Sequence, residues 1–204
     1  AAVQARASHT AANCKRPGAS AAGKGVALTP LKRTLGADSM SYDYVQVSID
    51  RAKRTATLTV HAPKAALPDS IDAIVAAGAN WYPLQMAREL DDAILNLRTN
   101  ELDIGTWLLK TAGDAQLALQ SDAILAKHQD HWFVNETIGL LRRTLARVDV
   151  SSRSLFALID EGSCFAGTLA ELAFAADRAY MLDLPDTPEK APHLHLSEMN
   201  FGYF

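Results

Sequence analysis

The chain has 204 residues, of which 49% are hydrophobic, so it can bury one sizeable core. Its formal net charge of −3 produces no strong field of the kind that attracts nucleic acid or a membrane surface, and no apolar run is long enough to span a bilayer. The two cysteines, Cys14 and Cys164, form neither a disulfide framework nor a metal-type spacing. We therefore expect free thiols in a reducing cytoplasm.

Residues 1–40 are predicted to be a flexible basic linker or a disordered N-terminal segment, and residues 41–204 one domain. The stretch 1–37 contains no Asp or Glu, is rich in Ala, Ser and Gly, and shows no apolar periodicity. Two alternatives remain for this segment. The first is an organellar transit peptide, which has a similar composition, although the chain lacks an initiating Met. The second is a phosphate-binding arm.

The ordered part is predicted to begin near Ser41 with a β-hairpin. Apolar and polar residues alternate along 45–49 and again along 56–60, and Arg51–Arg54 lies between the two stretches. From Pro83 to Leu97 the apolar residues recur every three or four positions, which predicts an amphipathic helix with Pro83 in its first turn.

After this helix, strands and helices are predicted to alternate, which is typical of an α/β domain. The predicted elements are a strand at 106–109, a loop at 111–122, a helix at 134–148, a strand at 155–159, a loop at 161–167, a helix from about Thr168 to Tyr180, and a strand from His193.

Two of the predicted loops follow buried strands, the position at which α/β proteins usually bind ligands. The second loop contains Gly162 and Gly167 and leads into a helix. Glycine lets the backbone approach a ligand closely, and the amides of a helix N-terminus attract negative charge. The turn can therefore hold a carboxylate, a phosphate or a developing oxyanion. A turn that only caps the helix is the alternative.

This region resembles the signature of the crotonase (enoyl-CoA hydratase/isomerase) superfamily. The matching pieces are Ala157–Ile159, Gly162, Gly167, Glu171 and Asp177–Arg178. The resemblance implies a crotonase-like α/β fold, a repeated ββα spiral that is incomplete at its C-terminus. It also implies that the amide of Gly167 is half of an oxyanion hole and that Glu171 is catalytic. An ungapped match places the family's glutamate at position 170, so Glu171 lies one residue late.

Two further pieces complete the implied site. Counting back from Asp122 makes Ala118 the second oxyanion donor, although a polar surface loop explains 111–122 equally well. The segment from His195 to Gly202 has the layout of the family's second catalytic glutamate, which falls on Glu198. With two carboxylates, one can position water while the other moves a proton at the carbon beside the thioester carbonyl.

The remaining candidates for chemistry are weaker, and no metal site is expected. His128 and His131 lie close together, as do His193 and His195, but a catalytic zinc site typically needs three protein ligands. Cys164 has no base beside it in the sequence and is interpreted as a small packing residue.

The resemblance is closer to one branch of the superfamily, which acts on CoA thioesters derived from aromatic acids. The stretches KGVALTPLKRT, AKHQDHWF and LSEMNFGYF suggest this branch. It implies a lyase with an acyl-CoA substrate, without a redox cofactor, and homo-oligomeric when full length. An ordinary enoyl-CoA hydratase or isomerase and a non-catalytic fragment that binds CoA thioesters are the alternatives.

The superfamily continues beyond the position of Phe204 with helices that close the active site and mediate oligomerisation. Without them, the apolar surface that they cover is expected to be exposed. We therefore expect this chain by itself to be poorly stable and to lack full activity.

Overall fold

The computed structural model describes residues 2–13 and 25–204. Cys14 lies outside the described residues. In chain order the elements are α1 (Ala2–Ala12), β1 (Thr34–Leu35), β2 (Ser39–Ser41), β3 (Val45–Asp50), β4 (Thr55–His61), α2 (Ile71–Ala77), α3 (Tyr82–Asn100), β5 (Thr106–Ala112), α4 (Ala115–Lys127), α5 (Trp132–Asp149), β6 (Ser154–Ile159), α6 (Glu171–Phe174) and β7 (Arg178–Met181). Four 3₁₀ turns, at Gly78–Asn80, Gly167–Ala170, Pro188–Lys190 and Glu198–Asn200, complete the described elements.

The seven strands form one sheet in chain order, from β1 to β7. Strands β1 to β4 are antiparallel, and β4 to β7 are parallel. Leu58 of β4 pairs with Val47 on one side and with Leu109 on the other, and Leu109 pairs in turn with Ala157. The predicted hairpin and the α/β fold class are both confirmed.

The core lies between one face of the sheet and the helices α3 and α5. Every second residue of β4, β5 and β6 is buried, which leaves Leu58, Trp107 and Ala157 facing the helices. The predicted apolar stripes of α3 and α5 are buried against this face and contact each other. The period of the apolar residues therefore matches the period of each element, and this layer follows directly from the sequence.

The opposite face of the parallel strands is less covered. Leu108, Phe156 and Leu158 are only partly buried on it, and every residue of β7 is exposed, including Tyr180 at 54% and Met181 at 49%. On its other side, β7 pairs with no strand in the part of the chain that the structure describes. Parallel strands normally have both faces covered, so it is unusual for this apolar face to be partly exposed.

The sheet begins at Thr34, before the predicted start of order near Ser41. β1 and β2 are short, and Met40 is their single buried residue, so they show no apolar alternation that the sequence could reveal. Helix α1 has no buried residue. Among the described residues no helix is long and apolar enough to cross a membrane.

The prediction of a loop at 111–122 is wrong at both ends, because β5 continues to Ala112 and α4 begins at Ala115. The Asp114 carboxylate caps this helix by accepting a 2.7 Å hydrogen bond from the amide of Gln116. The buried face of α4 includes Ser121 and Asp122, so it does not appear as an apolar stripe in the sequence.

The predicted helix from Thr168 to Tyr180 is helical only as far as Phe174 and is wrong beyond it. Helix α6 ends at Phe174, and the chain then turns to place β7 beside β6. The Asp177 carboxylate fixes this turn by accepting a 2.8 Å hydrogen bond from the amide of Leu155. The Ala-rich sequence favours a helix locally, and the long-range pairing with β6 overrides that preference.

The strand predicted from His193 is reduced to a single pairing. His195 forms a parallel bridge with Ala166, and the chain then enters the 3₁₀ turn Glu198–Asn200. Ser197 and Asn200 form a capping box around this turn, which ends the extended conformation.

Candidate active site

The turn after β6 carries the candidate site. Gly167 has a φ of +53°, a conformation that side chains disfavour. A Cβ atom there would lie 2.0 Å from Oδ2 of Asp122, so the turn can close only on a glycine. The Gly167 amide donates a 2.8 Å hydrogen bond to the carbonyl of His195, which ties the turn to the C-terminal segment.

Asp122 is the centre of the polar contacts behind this turn. Its side chain is buried, with 2% of its surface exposed. Thr168 donates to it twice, from its amide at 2.7 Å and from its hydroxyl at 2.6 Å. The hydroxyl of Ser197 donates a third hydrogen bond at 2.6 Å. Burial raises the pKa of the Asp122 carboxyl, and these three donors act in the opposite direction.

Asn200 makes a second connection between the C-terminal segment and the turn. Its amide nitrogen donates to the carbonyl of Gly167 at 3.0 Å and to Oε1 of Glu171 at 2.6 Å. Its amide oxygen accepts a 2.9 Å hydrogen bond from the amide of Ser197. Asn200 therefore holds one oxygen of a candidate catalytic carboxylate.

The two candidate glutamates come to the same region from different elements. Glu171 is the first residue of α6 and is half-buried, whereas Glu198 opens the last 3₁₀ turn and is exposed. Asn200 belongs to the same turn as Glu198 and contacts Glu171, so the two elements that carry the glutamates are linked by one side chain. The Glu171 carboxylate is thus aimed at Asn200.

The two predicted oxyanion donors are both engaged within the fold. The amide of Gly167 donates to His195, and the amide of Ala118 lies inside α4, where it donates to the carbonyl of Asp114 at 3.2 Å. Both assignments stay predictions. In this conformation either amide has to leave its present partner before it can bind a thioester oxygen.

The space around the turn is limited. A cavity of about 10 Å³, lined by Tyr82, Ala118, Asp122 and Thr168 among others, has room for roughly one water molecule. A larger open groove of about 280 Å³ lies between α5 and α6, and Glu171, Phe174 and Phe204 line it. Glu171 is therefore the candidate residue that borders a space larger than a water molecule.

The weaker candidates form no centre. His193 and His195 stack edge to face with their ring centroids 6.0 Å apart. Within residues 2–13 and 25–204, no group of three or more His, Cys, Asp or Glu comes together as a metal site would require. Cys164 is buried, and its amide donates to the hydroxyl of Thr111 at 3.0 Å. Burial raises the pKa of the Cys164 thiol to about 11, so it is a poor nucleophile at neutral pH.

Sequence reasoning missed the roles of Asp122, Thr168, Ser197 and Asn200. For Asp122 the available signal is an Asp within an otherwise Ala- and Leu-rich segment, which suggests a buried polar contact. The pattern from Ser197 to Asn200 carries the spacing of a capping box, which predicts a helical turn rather than a strand.

Comparison with known proteins gives one close match over almost the whole chain. No protein-family model matches this chain. It is 56% identical over 202 residues to the benzoyl-CoA-dihydrodiol lyase of Aromatoleum evansii. This chain is a homologue of that lyase. The match covers 99% of this chain and 35% of the lyase, so the chain spans about a third of the length of its relative. The resemblance to a lyase of this kind, which the sequence motifs indicated, is confirmed.

Solved structures give a more distant similarity. An enoyl-CoA hydratase from Geobacillus kaustophilus HTA426 is 17% identical, with a TM-score of 0.43 over 69% of this chain and 46% of the other. An enoyl-CoA hydratase/isomerase from Marinobacter aquaeolei is 16% identical, with a TM-score of 0.41 over 67% of this chain and 48% of the other.

Proposed function

We propose that this chain forms part of a benzoyl-CoA-dihydrodiol lyase, also described as a 2,3-epoxybenzoyl-CoA dihydrolase. The proposal depends on one observation, the 56% identity to such a lyase over 202 residues. The proposed reaction opens the ring of 2,3-epoxybenzoyl-CoA with water in aerobic benzoate degradation. Its products are 3,4-dehydroadipyl-CoA semialdehyde and formate, and it needs no redox cofactor. The proposed location is the cytoplasm, and the proposed assembly is a homo-oligomer of the full-length protein.

In the proposed mechanism the two glutamates divide the work. Glu171 is half-buried and has one oxygen held by Asn200, so its other oxygen is available to orient a water molecule or to move a proton. Glu198 is exposed on the neighbouring turn and supplies the second carboxylate. The amides of Gly167 and Ala118 are the proposed oxyanion donors, which stabilise negative charge on the thioester oxygen after they exchange their present carbonyl partners.

Non-catalytic binding of a CoA thioester is the second candidate function. The small size of the cavity beside Thr168 argues against a reaction at that place, because a space of about 10 Å³ does not accommodate a thioester. In this alternative the open groove beside Glu171 and Phe174 contacts the acyl group without chemistry.

Turnover and binding separate these functions. The product of the complete reading frame is incubated with 2,3-epoxybenzoyl-CoA and, separately, with crotonyl-CoA, and release of formate and hydration are measured. We expect formate from the epoxide, and a loss of about a hundredfold in turnover for Glu198→Gln and for Glu171→Gln. Glu161→Gln, an exposed carboxylate in the same loop, is the matched control and should retain turnover.

Three other outcomes of these measurements would indicate a different function. Hydration of crotonyl-CoA without formate release would indicate an ordinary enoyl-CoA hydratase. Binding of benzoyl-CoA, measured by calorimetry, without turnover of either substrate would support the non-catalytic function. Neither binding nor turnover would contradict both proposals.

A further inference from the structure

Three segments that are distant in sequence meet at one carboxylate. Asp122 belongs to α4, Thr168 to the 3₁₀ turn after β6, and Ser197 to the C-terminal segment. Among the described residues, the carboxylate of Asp122 accepts hydrogen bonds only from Thr168 and Ser197. Asp122 therefore contacts both of the segments that carry Glu171 and Glu198, in addition to the links that Asn200 and the backbone of His195 make between them.

The charge at Asp122 is costly. In the part of the chain that the structure describes, no Lys, Arg or His lies within 4.0 Å of its carboxylate. A buried carboxylate loses its hydration, and without a neighbouring cation only hydrogen bonds offset the free energy that this costs. Well-packed apolar side chains often hold segments together equally well or better. Holding the segments together therefore does not by itself require a carboxylate at position 122, so its hydrogen-bond acceptors have a further role.

An ionised carboxylate imposes geometry that an apolar side chain cannot. It accepts and never donates, so each of its oxygens requires a donor in a defined direction. Oδ1 takes the hydroxyl of Thr168, while Oδ2 takes both the amide of Thr168 and the hydroxyl of Ser197. The amide of Thr168 fixes the backbone three residues before Glu171, and Ser197 directly precedes Glu198.

Ser197 passes this constraint on to the turn of the second glutamate. Its hydroxyl donates to Asp122 and also accepts a 3.2 Å hydrogen bond from the amide of Met199. Asn200, one residue further, holds Glu171. Asp122 is therefore connected to both glutamates through hydrogen bonds between neighbouring residues.

We propose that Asp122 is a positioning residue that sets the distance and orientation between Glu171 and Glu198. This inference rests on the proposed function, because it assigns a role in the reaction of these two glutamates. Asp122 itself touches no reacting atom in this role. It acts through the amide of Thr168 and the hydroxyl of Ser197.

The test compares Asp122→Asn with Glu89→Gln in the product of the complete reading frame. Glu89 is also buried, at 1% exposure, and also accepts two hydrogen bonds, from the amide of Tyr44 at 2.7 Å and from the side chain of Gln85 at 2.9 Å. It lies on α3, away from the turn. Both variants replace a buried carboxylate by its amide, so both report the general cost of that change.

Two measurements are made on each variant. Hydrogen exchange, followed by mass spectrometry of peptides that cover 165–172 and 195–201, reports the amides of Thr168 and Met199. We expect Asp122→Asn to speed exchange in both peptides by about tenfold, because loss of one charge-assisted hydrogen bond is worth at least that factor. Steady-state kinetics should show a fall in kcat of about tenfold or more with KM changed less than about threefold, since misplaced groups mainly affect the chemical step.

The control defines what would overturn the inference. Glu89→Gln should leave both peptides and kcat near their wild-type values. Equal effects of the two variants on exchange and kcat, or no effect of Asp122→Asn on the peptide that contains Thr168, would contradict the positioning role. If Asp122→Asn does not fold, Ser197→Ala takes its place, with faster exchange expected in the 195–201 peptide and a lower kcat. Unchanged exchange and kcat in Ser197→Ala would equally reject the proposal.

Failure of the proposed function looks different. If the wild-type protein turns over neither 2,3-epoxybenzoyl-CoA nor crotonyl-CoA, the proposed reaction is wrong. The hydrogen-exchange comparison then still shows whether Asp122 holds the two segments in place.

Discussion

The molecule has two parts that are held together in different ways. From Val45 to Ile159 the strands and helices form a layer that is packed mainly through buried apolar side chains. From Asp160 onward the chain consists of short elements and turns. Phe165 and Met199 join the apolar core, and the side chains of Asp122, Ser197 and Asn200 add hydrogen bonds that hold the turns. Apolar contacts tolerate small displacements, whereas hydrogen bonds fix direction. We therefore expect the first part to provide most of the stability, and the hydrogen bonds at the turns to set the geometry of the site.

The largest expected effect tests the apolar layer. Trp107 lies in the middle of the sheet with 0% of its surface exposed, so Trp107→Ala should lower the free energy of unfolding by about 4 kcal/mol. Trp132, at the start of α5 and 47% exposed, is the matched control, and its change to Ala should cost less than about 1 kcal/mol. Urea unfolding measures both. Similar losses for the two variants would contradict the view that stability resides in this layer.

A smaller effect is expected at the turn. Gly167→Ala combines an unfavourable φ of +53° with a clash at Asp122, so it should cost about 3 kcal/mol. Gly162→Ala has a similar φ, +78°, but nothing lies within 4 Å of the added atom, and it should cost about 1 kcal/mol.

The two glycine variants are compared by urea unfolding. The difference between them isolates the close approach of Asp122 from the strain of the backbone. An equal loss for both would mean that the turn does not need the close contact with α4.

The smallest expected effect is a change in pH dependence. Burial raises the pKa of Glu89 above its value in the unfolded chain, so the native state keeps this proton more tightly. The stability that Glu89 contributes is therefore fully present below the unfolded pKa and is lost as the pH rises through the folded pKa, with a slope below about 1.4 kcal/mol per pH unit. Glu89→Gln should remove this part of the slope.

Asp50 gives a control of opposite sign. Hydrogen bonds from the backbone and side chain of Lys53 lower the pKa of Asp50, so its contribution is present above the unfolded pKa and is lost as the pH falls. Asp50→Asn should therefore change the acid side of the stability curve in the other direction. Unfolding is measured for both variants between about pH 3 and about pH 8. A parallel change in the two variants would contradict the assigned cause of the Glu89 shift.

The sequence predicts the layered part well, because its information is local. The alternation in β3 and β4 and the four-three spacing in α5 each repeat within a few residues, and a buried face needs nothing more to be recognised. The turns after Ile159 depend on partners that are distant in the sequence. Asp177 accepts a hydrogen bond from the amide of Leu155, 22 residues earlier in the chain, and the residues around Asp177 carry no sign of this contact.

The candidate site shows the same limit. The resemblance led to Glu171 and Glu198 because their motifs are contiguous in the sequence. It did not lead to Asn200 as the partner of Glu171, since an Asn two residues after a candidate glutamate has many possible partners. The helical state of 115–127 was hidden because the buried positions Ser121 and Asp122 are polar.

The sheet also has two unlike ends. β1 consists of two residues, and so short an edge strand offers little to a further strand. β7 has four residues, of which Arg178 alone is charged, and its outer row of backbone groups pairs with no strand among those described. Backbone pairing does not depend on which side chains the incoming strand carries. The two ends of the sheet therefore differ, and among the described strands β7 is the end whose backbone groups are more open to pairing with a further strand.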